Sequence, residues 1–131
     1  LRAHLVGLNT ALLSYSSNDE GELIADIGAL QHNLNSARQD TDLVFCVGHH
    51  PISYLAQWNG NTIEALLRAN HALYLHGHDH THIGPNGTVG AGEGLVSLSA
   101  GSAYAGSYWP QYIAMYRCGR SSIDFETKIF S

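Results

Sequence analysis

Residues 43–51 read LVFCVGHHP, and residues 72–80 read ALYLHGHDH. Each stretch begins with a continuous apolar run of strand length, which is typical of strands buried on both faces of an α/β sheet. Each run leads into a glycine followed by histidines, where the backbone can turn tightly and approach a ligand. The two stretches therefore predict strands of an α/β sheet with imidazoles at their ends.

The segments around these two strands alternate between helical and extended patterns. Apolar residues at helical spacing predict an amphipathic helix over 22–38 and a short helix from about 62 to 69. Further strands are predicted over 4–13, 95–100, 111–117 and 123–130. The order strand, helix, strand, helix, strand, then several strands predicts a layered α/β domain.

The composition limits the classes of partner. The chain has 131 residues, of which 44% are hydrophobic and 13% are charged, enough apolar material for one packed core. The formal net charge is −5 and lysine and arginine form no cluster, so a nucleic-acid patch is not expected. No apolar run approaches the ~20 residues that a membrane helix needs, so no membrane partner is expected either.

The cysteines and the N-terminal residues bear on location. The first residues do not resemble a secretory signal peptide. Two cysteines, Cys46 and Cys118, do not make a disulfide scaffold in a chain of this size, so we predict a reducing, cytoplasmic setting. Both lie within apolar runs, where a thiolate is disfavoured, and neither is predicted to be a nucleophile.

The histidines are the strongest chemical signal. Four of the nine lie at alternate positions within residues 76–82, and neutral imidazole is the commonest protein ligand for zinc, iron and manganese. Ligands of open α/β sheets bind at the C-terminal ends of strands. If the two quoted strands are neighbours, His49, His78 and His80 converge there, which suits a share of a dinuclear site for phosphoryl transfer. His76 and His82 are predicted to be bystanders.

Gly48-His49-His50-Pro51 followed by Gly77-His78-Asp79-His80 resembles the last two metal-binding blocks of the calcineurin-like metallophosphoesterases. The resemblance runs from about His4 to the end of the chain and implies a layered, metallophosphoesterase-like sheet sandwich flanked by helices. The family's first three blocks, Asp-x-His, Gly-Asp-x-x-Asp and Gly-Asn-His-Asp/Glu, are not in this sequence. Residues 1–131 are therefore expected to be the C-terminal half of a single domain, with the N-terminal half absent from this chain.

The resemblance also implies a chemistry. His49 and His78 would bind one metal ion and His80 a second, and a hydroxide bridging the two ions would attack a phosphomonoester, phosphodiester or pyrophosphate. The implied cofactors are two divalent or trivalent ions of manganese, iron, zinc or nickel, with no organic cofactor. The implied partners are a small phosphorylated substrate and the missing N-terminal half of the domain. His50 is the candidate catalytic residue, placed to touch substrate or to support a ligand.

Two functional classes stay open at this point. One is a phosphoesterase that is active when the domain is complete. The other is a catalytically incomplete metallophosphoesterase-like module used for binding or regulation, since the other ligand blocks are not in the sequence. Three histidines alone could hold one zinc ion with an open position. If these residues fold without the other half, an apolar sheet edge or face should be exposed.

Overall fold

The computed structural model describes residues 2–16, 18–37, 43–78, 84–86, 94–100, 111–118 and 123–130. These residues form an α/β domain, as the sequence predicts. Its main sheet contains β1 (Ala3–Gly7), β2 (Leu43–Val47), β3 (Ala72–His76), β4 (Gly84–Asn86) and β5 (Ser97–Ser99). The strand order is β1-β2-β3-β5-β4, in which the first four are parallel and β4 is antiparallel to β5.

Two helices and a hairpin complete the described fold. Helix α1 covers Ile27–Ala37 and helix α2 covers Gln57–Ala69, with a short 3₁₀ helix at Ile52–Tyr54. Strands β6 (Gln111–Cys118) and β7 (Ile123–Phe130) pair in antiparallel fashion, which confirms the predicted hairpin. No helix in the described part of the chain combines the length and the apolar composition needed to cross a bilayer.

The core lies between the sheet and the two helices. Val6, Cys46 and Tyr74 occupy matching positions on β1, β2 and β3 and are buried on one face of the sheet. The helices cover this face with apolar side chains, chiefly Leu30, Leu34, Ile63 and Leu67. Cys46 is a free cysteine, and burial raises the pKa of its thiol to about 12, in line with a structural rather than a nucleophilic role.

Helix α1 begins at Ile27, five residues later than the sequence predicts, because the residues before it pair elsewhere. The amide of Leu23 donates to the Tyr54 carbonyl at 3.1 Å, and the Leu23 carbonyl accepts from Ala56 at 2.7 Å. These two bonds form an isolated parallel bridge between Leu23 and Leu55. The helix then starts where the Asp26 carboxylate accepts the Ala29 amide at 2.9 Å, a side-chain N-cap.

Helix α2 begins at Gln57, earlier than the predicted start near residue 62, so Trp58, Asn59 and Gly60 are helical and not loop. Asn59 holds the first turn of α2 in place. Its buried side-chain amide accepts the Ala25 amide and donates to the Ala25 carbonyl, both at 3.0 Å. A buried amide that satisfies a neighbouring segment stabilises both segments together. This pairing depends on tertiary structure and leaves no periodic signal in the sequence.

The opposite face of β1 and β2 carries the exposed apolar surface that the sequence predicts. Leu5 on β1 is 69% exposed and Val47 on β2 is 41% exposed, and Leu5 lies beside the half-buried Phe45. In the described part of the chain no strand pairs with the outer side of β1. Parallel sheets are normally covered on both faces, so this face differs from the usual pattern.

The turn after β2 depends on a close approach of Tyr74 to Gly48. The Tyr74 hydroxyl donates to the His50 carbonyl at 2.6 Å, and burial raises the pKa of this phenol, which keeps it a neutral donor. A Cβ added at Gly48 would overlap the Tyr74 hydroxyl and lie 3.0 Å from Cζ of the ring. Glycine is therefore required at this position because no side chain fits above the phenol.

We expect Gly48→Ala to lower the free energy of unfolding by about 1–3 kcal/mol, since the core must yield to the added methyl group. Gly7→Ala is the matched control, because a Cβ there meets nothing within 4 Å. Urea denaturation measures both. If the clash with the hydroxyl is the cause, adding Tyr74→Phe to Gly48→Ala should cost less than the sum of the two single changes.

The loop between β1 and α1 is organised by the buried carboxylate of Asp19. It accepts hydrogen bonds from the Ser14 hydroxyl at 2.7 Å and the Ser16 hydroxyl at 3.0 Å, and from the amides of Tyr15 and Ser16. The bond from Ser14 is the largest cause of a lowered pKa of Asp19, because donors to a carboxylate favour its charged form. The Asp19 carboxylate therefore holds residues 14–16 against Asp19 within the loop.

The hydrogen bonds to the Asp19 carboxylate make the stability of the fold depend on pH. A carboxylate whose pKa is lowered by folding stabilises the folded state above the unfolded-state pKa of about 3.9, and this contribution disappears as the pH falls through the folded-state pKa. Asp19→Asn should therefore reduce stability at pH 7 and converge with the wild type in strong acid. Urea midpoints between pH 7 and pH 2 test this, with Glu20→Gln at an exposed neighbouring carboxylate as control. A constant gap at all pH values would contradict it.

Candidate metal centre

The two histidine-bearing turns are held side by side by backbone hydrogen bonds. The Gly48 amide donates to the Leu75 carbonyl at 2.9 Å, and the Gly77 amide donates to the His49 carbonyl at 3.0 Å. These bonds continue the parallel pairing of β2 and β3 beyond the ends of both strands. The side chains that follow the two strands are therefore brought to one edge of the sheet, the C-terminal edge.

Three imidazoles meet at this edge. His78 Nδ1 lies 3.2 Å from His49 Nε2, and the His50 ring centroid lies 4.6 Å from that of His49 and 4.5 Å from that of His78. Each residue offers one ring nitrogen, and the three nitrogens lie within 4.8 Å of one another. His49, His50 and His78 therefore form a group that could hold a metal ion.

The spacing of His49 and His78 fits ligation of a common ion. Two imidazole nitrogens at about 2.0–2.1 Å from one tetrahedral zinc ion lie roughly 3.3 Å apart. The observed separation of 3.2 Å between His49 Nε2 and His78 Nδ1 matches this value. The donor set also fits, because neutral imidazole binds zinc, iron, manganese and nickel.

His50 differs from the other two histidines in its surroundings. His50 is buried at 3% exposure, whereas His49 is exposed. Burial is the largest cause of a lowered pKa of His50, and the neighbouring His78 and His49 lower it further by charge repulsion. His50 therefore stays neutral to lower pH than an ordinary histidine. A neutral ring is required for metal ligation, because only the neutral form has a nitrogen lone pair to offer.

Tyr54 forms a wall of the same site. Its ring stacks on His50 with centroids 5.6 Å apart and an interplanar angle of 25°, and it meets His78 edge-on at 4.8 Å. Its carbonyl accepts the amides of Gly21 and Leu23, which fixes the 3₁₀ turn that carries the ring. The orientation of the two histidine rings is therefore constrained by an aromatic side chain as well as by the backbone.

The backbone of His78 has a left-handed conformation, with φ of 66°. A residue other than glycine pays of order 1–3 kcal/mol for such a conformation, and these outliers concentrate at functional sites. The sharp turn directs the His78 ring back toward His49, at the distance given above. The strained backbone at His78 is thus the conformation that brings the His78 and His49 rings together.

The structure brings together three of the four residues singled out by the sequence. His49, His50 and His78 meet, whereas His80 lies outside the described residues, so its assignment as a ligand stays a prediction. His76 is buried in β3, as expected of a residue within the strand, and its Nδ1 lies 3.1 Å from the Gly77 carbonyl oxygen.

Two residues of the site were not predicted. Tyr54 follows the Gly-His-His-Pro motif by one turn, and that spacing is a signal the sequence does contain. Thr10 accepts the backbone amides of His49 and His50 at 3.2 and 3.0 Å, but it lies some forty positions away. Only the tertiary structure reveals that contact.

Comparisons with protein-family models, with curated proteins and with solved structures gave no match to this chain. The assignment of the site therefore depends on the geometry of its residues and on the two histidine motifs.

We predict that metal affinity depends on His49 and His78. His49→Ala and His78→Gly should each weaken Zn²⁺ binding at least about tenfold, because each removes one ligand nitrogen. Glycine is chosen at position 78 because it tolerates the left-handed backbone and so preserves the turn. Calorimetric titration of Zn²⁺ into the metal-free protein measures the affinity, with His32→Ala on the exposed side of α1 as control. Unchanged affinity in both ligand variants would rule out this centre.

Proposed function

We propose that the chain forms part of a metal-dependent phosphoesterase of the calcineurin-like type, acting on phosphomonoester, phosphodiester or pyrophosphate bonds. The observation that carries the proposal is the 3.2 Å approach of His49 and His78 at the C-terminal ends of two adjacent parallel strands. Both residues lie in the two motifs that resemble that family. Ligand sites of open parallel sheets lie at this edge, and dinuclear centres there suit phosphoryl transfer.

The roles of the residues follow from their positions. His49 and His78 would hold one ion, and His80 is proposed as a ligand of a second. When bound, such ions supply Lewis acidity, which polarises phosphoryl oxygens and activates water for attack. His50 and Tyr54 line the same space and would contact the substrate phosphate or orient the ligands. The proposed substrate is a small phosphorylated molecule.

We also propose that the α/β domain is a metallophosphoesterase-like sandwich. A metallophosphoesterase-like sandwich needs a second sheet, and the hairpin β6–β7 provides two strands that are tied to the main sheet by the bond from the Tyr116 hydroxyl to the Ser99 carbonyl at 2.7 Å. The exposed apolar face around Leu5 and Val47 is proposed to be covered by the other half of such a domain. That half would also carry the remaining ligands.

One observation favours the second candidate, a binding or regulatory module. Among the described residues the cluster contains three imidazoles and no carboxylate. A bridging carboxylate is the usual means of holding two cations close together, since it neutralises part of their mutual repulsion. If no other segment supplied one, the chain would bind a single ion and would lack the two-metal arrangement on which the proposed reaction depends.

Hydrolysis assays separate the two candidates. With Mn²⁺ present, the full-length protein should hydrolyse p-nitrophenyl phosphate or its diester, and His78→Gly should lower kcat/KM at least about 100-fold, since loss of a ligand removes stabilisation of the charged transition state. His32→Ala should leave kcat/KM unchanged, because His32 is exposed on α1. Tight metal binding without turnover would favour the binding module. Turnover that survives His78→Gly would refute the site.

A further inference from the structure

The hydroxyl of Thr10 lies beneath the histidine turn and contacts three groups in it. The amide of Leu8 donates to the Val47 carbonyl at 2.8 Å, which extends the pairing of β1 with β2 and carries Thr10 to the end of β2. Thr10 is 1% exposed. Its Oγ1 lies 3.2 Å from the amide of His49, 3.0 Å from the amide of His50 and 3.2 Å from His50 Nδ1.

The direction of each of these hydrogen bonds follows from counting protons. Backbone amides can only donate, so the two N–H groups occupy both lone pairs of the Thr10 hydroxyl oxygen. The hydroxyl has one proton, and His50 Nδ1 is the acceptor within its reach among the described residues. If Nδ1 carried a proton instead, the hydroxyl proton would lose this acceptor, and three donors would face an oxygen with two lone pairs. The count favours an unprotonated Nδ1, with the proton of the neutral ring on Nε2.

We propose that Thr10 is a positioning residue that fixes His50 as its Nε2–H tautomer, so that His50 donates a hydrogen bond in the site and does not ligate the metal. A ligand nitrogen must offer a lone pair, and both ring nitrogens of His50 are then committed, Nδ1 to Thr10 and Nε2 to its own proton. The metal is held from this side by His49 and His78. The three clustered histidines thus divide into two ligands and one donor.

The surroundings of His50 keep its ring in this arrangement. Its carbonyl accepts the Tyr74 hydroxyl at 2.6 Å, its amide is bound by Thr10, and its ring stacks on Tyr54. Rotation of the ring would break the contact between Nδ1 and Thr10 and disturb the stacking. A donor held in this way beside a metal centre suits the anionic oxygens of a phosphoryl group. This donor role rests on the proposed function, whereas the tautomer does not.

Nitrogen-15 NMR of histidine-labelled, metal-free protein at pH 8 tests the tautomer directly, because protonated and unprotonated ring nitrogens have well separated shifts. We expect His50 to show a protonated Nε2 and an unprotonated Nδ1. After one equivalent of Zn²⁺, His49 and His78 should take the shifts of bound nitrogens while His50 keeps its Nε2–H. A His50 that switches to Nδ1–H or binds zinc through Nε2 would overturn the proposal.

Two sets of variants give an independent readout. His50→Ala should change Zn²⁺ affinity by less than about threefold, in contrast to the tenfold or greater loss for His49→Ala, and should lower kcat about 100-fold if the donor stabilises the transition state. Thr10→Ser should retain the wild-type tautomer and kcat, whereas Thr10→Val, which cannot donate to Nδ1, should show a mixture of tautomers and a lower kcat at unchanged metal content.

The outcomes separate this proposal from the proposed function. An Nε2–H tautomer that persists with zinc, in a protein without phosphoesterase turnover, upholds the role of Thr10 and refutes the phosphoesterase alone. A tenfold loss of zinc affinity in His50→Ala refutes the donor assignment even in an active enzyme. Thr10→Val with the wild-type tautomer and kcat would show that Thr10 does not position the ring. The wild-type spectra decide the tautomer even if Thr10→Val fails to fold.

Discussion

The contact between the phenol of Tyr74 and the backbone at Gly48 is the constraint on which the site depends. Tyr74 lies on β3, and the turn that it supports follows β2, so the contact couples two adjacent parallel strands at their C-terminal ends. Its hydroxyl also donates to the buried His50 carbonyl, which lies beyond the end of β2 and so outside the strand ladder. The Tyr74 side chain is therefore part of the hydrophobic core and also supports the backbone of the histidine turn.

The backbone amides of the two histidine turns have hydrogen-bond acceptors within the protein, so the turns do not depend on a ligand for their conformation. Amides at 48, 49, 50 and 77 all donate to protein acceptors. These bonds hold the backbone that carries the rings, and a metal or oxyanion site needs its groups held to within about 0.5 Å. The left-handed backbone at His78 follows directly after Gly77, whose amide is held by the His49 carbonyl at 3.0 Å.

The sequence predicts those parts of the molecule that depend on local pattern and fails where distant segments meet. Strand β2 occurs at 43–47 as predicted, since a continuous apolar run between polar turns has few alternatives. Residues 22–26 carry a helical pattern, but Leu23 forms a parallel bridge with Leu55, because tertiary hydrogen bonds outweigh a weak propensity. The approach of His49 to His78 was predictable from two motifs at strand ends, whereas Thr10 and Asn59 act across more than thirty positions, where no local pattern exists.

Adjacent histidines take different roles because successive side chains of an extended turn leave it in different directions. His49 is exposed and meets His78 across the strand ends, whereas His50 is directed into the fold, against Thr10 and Tyr54. The motif Gly-His-His-Pro therefore combines a solvent-facing nitrogen, open to a metal, with a buried nitrogen whose proton is set by the protein. The residue type is the same at both positions. Burial and one threonine hydroxyl determine which ring can give a lone pair and which can give a proton.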